Sequence, residues 1–130
     1  MATSKKRSRQ NYSKESLNNK PKKIENELEK QMLFDLEKRI SLNVGNYLVL
    51  SEEGDPTQIA LAHQKAKSEF MKFGPEMSRL ARNMGGEVLI VVADYLESID
   101  IVLHCNGMLD EDKISKCFYT TQKLEAELKL

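Results

Sequence analysis

Apolar residues first fall into step at Ile24. From there Ile24, Leu28, Met32, Leu36, Ile40, Val44 and Leu48 recur at every fourth position, with Leu33 and Tyr47 beside them and charged residues in most of the gaps. That spacing predicts an amphipathic helix over residues 24–50. Each four-residue step passes a full turn by about 40°, so the apolar stripe winds around the axis. A helix of this kind either lies against more than one neighbour or breaks, and Gly45-Asn46 is the expected place for a break.

Ser51 to Pro56 reads as a loop that delivers a second helix, with Asp55 as N-cap and Pro56 at the first helical position. Ile59, Ala62, Ala66, Phe70 and Phe73 then repeat at spacings of three and four, and the small residues in the middle admit a close partner helix. Gly74-Pro75 is expected to end that helix. Beyond it, Met77, Leu80, Met84, Val88, Val91, Val92, Tyr95, Leu96, Ile99, Val102 and Leu103 hold the helical period through Gly85-Gly86. One helix to His104, two helices parted by the glycines, or a strand over residues 88–92 all fit the run. Strand alternation fails between Asp94 and Leu103, which favours helix. Asn106-Gly107 closes the segment, and Asp110 caps a last helix whose first turn holds Glu111 and Asp112. Its expected buried stripe is Ile114, Cys117, Phe118, Thr121, Leu124 and Leu128. The fold class this predicts is all-α: a small antiparallel bundle of four or five helices, one domain over residues 24–130.

Residues 1–23 follow a different rule. Their apolar content is little more than Met1, Ala2, Tyr12 and Leu17, too little burial to offset the entropy of ordering the backbone, so a disordered tail is expected when the chain is free. Pro21 marks its boundary. Charge sharpens the division. The chain is formally neutral, with 20 basic and 20 acidic side chains. Yet residues 1–23 carry eight basic residues (Lys5, Lys6, Arg7, Arg9, Lys14, Lys20, Lys22 and Lys23) against Glu15 alone, a net +7, and the remainder carries 12 basic against 19 acidic, a net −7. A basic arm is joined to an acidic body.

Those eight residues are the candidate nucleic-acid-binding set. Lys and Arg neutralise phosphates and release counterions, which gives affinity without sequence preference. Tyr12 is the lone aromatic of the arm, so stacking adds little and the contact expected is with the backbone of the nucleic acid. Lys5 to Arg9 and Lys20 to Lys23 also resemble the two basic groups of a bipartite nuclear localisation signal, which implies nuclear import in a eukaryotic or viral source. A third reading lays the arm on the acidic body at low salt, to be displaced by a competing polyanion. The negative body disfavours a DNA-reading helix there.

Other chemistry finds little footing. His63, His104, Cys105 and Cys117 show no metal-ligand spacing, and no cofactor is implied. No third residue orients a histidine beside a cysteine, as nucleophilic catalysis requires, and Asp110-Glu111-Asp112 lacks the spacing of a calcium loop. Gly85-Gly86 lacks the lysine and flanking glycines of a phosphate loop. Two cysteines are too few for a disulfide framework. The longest apolar run, Val88 to Ala93, is too short to cross a bilayer, and residues 1–17 contain no signal-peptide core. The expectation is an intracellular, cytoplasmic or nuclear protein that is not an enzyme. Its arm contacts nucleic acid or another polyanion, and its helical body makes protein contacts, among them coiled-coil-like self-association into a homodimer through residues 24–50. The alternative is a protein–protein adaptor or regulatory bundle whose tail serves localisation or solubility alone.

Overall fold

The computed structural model describes residues 14–105 and 109–129, with side chains from residue 27 onward. Among the described residues there are four helices and no strand: α1 (Lys14–Glu53), α2 (Pro56–Met84), α3 (Gly86–Leu103) and α4 (Glu111–Glu127). Cross-helix contacts fix an up-down-up-down order. Arg39 approaches Glu69 while Tyr47 meets His63, so α1 and α2 are antiparallel. His63 reaches the Leu103 carbonyl and Gly74 lies beside Leu96, which reverses α3 against α2. Lys38 pairs with Glu125, and Val49 and Ile114 line one groove, which sets α4 antiparallel to α1. No described helix is long and apolar enough to cross a membrane.

The winding stripe of α1 is accommodated by several neighbours, and the helix runs unbroken through Gly45-Asn46. Leu33, Ile40, Val44, Tyr47 and Leu48 are buried, whereas Leu28 and Met32, expected in the same stripe, are exposed. Helical backbone is present from Lys14, upstream of the expected start at Ile24.

Gly74-Pro75 does not end the second helix. Pro75 sits inside α2, which continues to Met84. A proline in a helix interior costs about 3 kcal/mol through its missing N–H and its ring. The turns beyond it bury Met77 and Leu80, and two such side chains contribute about 3–6 kcal/mol. Continuing the helix therefore wins. The break falls instead at Gly85 and Gly86, whose φ values of 68° and 60° lie in the left-handed region that residues with a Cβ avoid. Residues 76–104 thus divide between two helices.

Asp55 and Asp110 act as the expected N-caps, accepting from the amides of Gln58 at 2.8 Å and Lys113 at 2.9 Å. In α4 the buried face is Cys117, Thr120 and Leu124, followed by Leu128. Phe118, expected inside, is exposed, because α4 turns position 118 away from α3 towards the open edge of α1.

Candidate functional site

Of the eight basic candidates, Lys5, Lys6, Arg7 and Arg9 lie outside the described residues. Lys14, Lys20, Lys22 and Lys23 stand on the N-terminal part of α1, with side chains outside the described set. The body that follows is acidic. α3 carries Glu87, Asp94, Glu97 and Asp100 on its exposed face and no lysine or arginine at all.

The most conspicuous apolar surface is the outward side of α1. Leu42 is 75% exposed and Val49 60%. Grooves run along both flanks of this ridge. One, of about 590 Å³, lies against α4 and is lined by Leu42, Gly45, Leu48, Val49, Ile114 and Phe118 among others. The other, of about 340 Å³, lies against α2 and includes Leu50, Leu61 and Ala62, with Asn46 shared between the two. Phe118 and Leu61 are themselves exposed, so the ridge and its two shoulders form one apolar patch. A patch of this kind marks a surface for another macromolecule more often than a small-molecule pocket.

Inside the bundle a polar cluster joins three helices. Glu37 is fully buried on α1. Ser41 Oγ donates to Glu37 Oε2 at 2.6 Å and is hydrogen-bonded to Tyr95 Oη at 2.7 Å. Among the described residues the buried Glu37 Oε1 has no hydrogen-bond partner. Burial pushes the Glu37 carboxyl from 4.5 up to about 7, with the neighbouring Glu125 carboxylate adding to the rise and Ser41 and Lys38 opposing it. Burial also works against ionisation of Glu125, but Lys38 Nζ at 3.0 Å and the Glu37 carboxyl hold it lowered. Below about pH 7 the pair therefore shares one negative charge, with the proton favoured on the buried Glu37, and above it both carboxyls ionise. A layer further along, Ser98 and Thr120 bond at 2.7 Å between α3 and α4.

The histidines are engaged structurally. His63 Nε2 donates to the Leu103 carbonyl at 2.5 Å, satisfying an orphan acceptor at the end of α3, and its ring meets Tyr47 edge-on. His104 contacts the Asp100 carboxylate at 2.8 Å. Both line a cavity of about 560 Å³ between α1, α2 and the end of α3. Cys105 lies nearby, directed to the Val102 carbonyl at 3.4 Å. Cys117 is buried, and desolvation raises its thiol pKa. Among the described residues no three His, Cys, Asp or Glu side chains converge as metal ligands, and no cysteine is hydrogen-bonded to a histidine.

Sequence reasoning passed over two features. Glu37 shares the helical face of Leu33, Ile40 and Val44, at spacings of four, three and seven, and that register was the available signal for a buried carboxyl. Leu42 and Val49 stand seven apart on the opposite face, a second apolar line hidden by the stronger first. Compared with protein-family models, curated proteins and solved structures, the chain matches none.

Proposed function

We propose that this chain is a non-enzymatic helical interaction protein. Its N-terminal basic residues, Lys5, Lys6, Arg7, Arg9, Lys14, Lys20, Lys22 and Lys23, contact nucleic acid or another polyanion through phosphates, while the acidic bundle makes protein contacts that include self-association. The observation that carries this reading is the separation of charge, +7 in residues 1–23 against −7 in the rest. Two such opposed fields attract different partners: the body repels the polyanion that the arm attracts, so binding is directed to one end of the molecule. The apolar patch on α1 supports the second half, since exposed Leu42 and Val49 lose stabilisation in water that a protein partner restores.

Binding of duplex DNA and of RNA by the full chain and by a chain lacking residues 1–23, measured across a salt series, tests the first half. With roughly five to seven phosphates engaged, log K against log salt on duplex DNA has a slope of about −4 to −6, and the truncated chain loses the binding. Equal affinity of the two chains removes the arm from the mechanism. No polyanion binding by either chain favours the adaptor reading, in which the tail serves localisation or solubility.

A further inference from the structure

About the Gly45-Asn46 peptide the outward ridge of α1 carries apolar residues at matched distances and, beyond them, charges of opposite sign. Moving away from that midpoint, the ridge meets Leu42 on one side and Val49 on the other, then the bases Lys38 and Arg39 on one side and the acids Glu52 and Glu53 on the other. At about 100° per residue, Leu42 and Val49 return to within about 10° of one line, and Lys38 and Glu53 to within about 30°. All six of these side chains are exposed. An amphipathic helix that merely faces water has no reason to place apolar residues at the centre of its solvated side, flanked by opposite charges at matched distances.

Gly45 is a second, independent sign. A Cβ built there meets nothing within 4 Å, and its backbone is ordinary helix. Nothing among the described residues needs a glycine at this point, and glycine in a helix interior is about 1 kcal/mol worse than alanine. A close approach from outside explains it.

We infer that a second copy of this chain docks here, its α1 laid antiparallel across this α1 about a two-fold axis at Gly45-Asn46. In that arrangement Leu42 meets the partner's Val49, and Lys38 and Arg39, which also face Glu125 and Glu69 of their own chain, meet the partner's Glu52 and Glu53. A two-fold interface uses one patch twice, so that patch has to be self-complementary. The mirrored order of base, apolar, small, apolar and acid meets that condition, whereas a parallel pairing sets Lys38 against Lys38. Phe118 of α4 and Leu61 of α2 flank the ridge and close its edges. Ridge and shoulders offer four exposed apolar side chains, Leu42, Val49, Leu61 and Phe118, a smaller patch than the ~800 Å² per partner of a standard stable complex. A patch of that size suits a reversible dimer and not an obligate one.

The inference rests on the self-association part of the proposed function and is tested on the full chain by sedimentation at low salt, from micromolar to submillimolar concentration. Wild type shifts from monomer to dimer over that range. Leu42→Glu, at an exposed position, keeps the helical circular dichroism and weakens association by about a hundredfold or more. Gly45→Ala raises the melting temperature of the dilute monomer yet weakens association by about tenfold, a split that a purely structural glycine would not give. Arg39→Glu and Glu53→Lys each weaken it by about three- to tenfold, and the double variant recovers to within about twofold of wild type. A dimer that survives Leu42→Glu or Gly45→Ala, or charge reversals that fail to rescue each other, overturns this interface while leaving self-association standing. A strict monomer at every concentration overturns both. Loss of polyanion binding on removal of residues 1–23 is read separately and is unaffected by either outcome.

Discussion

Replacing Glu37 with glutamine removes the carboxyl group at the centre of the α1–α3–α4 cluster while keeping its shape and its bond to Ser41. In the folded chain that carboxyl titrates at about 7, against 4.5 when unburied. A raised carboxyl pKa means that the folded state holds a proton the unfolded state releases. The stabilisation is complete below about pH 4.5, declines as the pH climbs, and is gone once the pH has passed through about 7. The full shift corresponds to about 3 kcal/mol as an upper bound, and relaxation of the buried site with partial hydration of the ionised carboxylate brings it to about 1–2 kcal/mol. Urea unfolding followed by circular dichroism, for wild type and Glu37→Gln from pH 4.5 to 8.5, isolates this effect. The other titrating groups are present in both proteins, so the difference between them reports Glu37 together with its coupled neighbour Glu125. The two should be of similar stability at the acid end, and Glu37→Gln should be more stable by about 1–2 kcal/mol at the alkaline end. Parallel stability profiles would show that Glu37 is ionised and hydrated throughout, and the account of the cluster would fail.

Gly85→Ala should destabilise the bundle by about 1 kcal/mol or more although the site has room for a methyl group, because the left-handed φ of 68° is what the substitution opposes; chemical denaturation reads it directly. Asp110→Ala removes both the amide cap and the ion pair with Lys113, and costs about 1 kcal/mol through the cap, with α4 the first helix to lose hydrogen-exchange protection. In the native chain, a thiol reagent should modify half-buried Cys105 well before Cys117, whose buried thiol has its pKa raised by desolvation; equal rates would place Cys117 nearer the surface than its packing allows.

Helical class, the N-caps at Asp55 and Asp110, and most of the core stripe from Leu33 to Leu48 were legible along the chain, since each depends on spacing or on a side chain acting within a few residues of itself. The division of charge at residue 23 is likewise a property of composition alone. Three other features answer to partners distant in sequence. Pro75 stays within α2 because Met77 and Leu80 are buried beyond it, a gain that a local rule for proline does not contain. Glu37 became a buried, proton-holding group only when α3 supplied Tyr95 and α4 supplied Glu125, fifty or more residues away. Phe118, Leu42 and Val49 were left outside because the other three described helices cover just one side of α1, and a period of 3.6 does not say which of two apolar lines neighbours will cover. Local geometry is set by neighbours in the chain, but burial is set by neighbours in space, and tertiary packing alone chooses those.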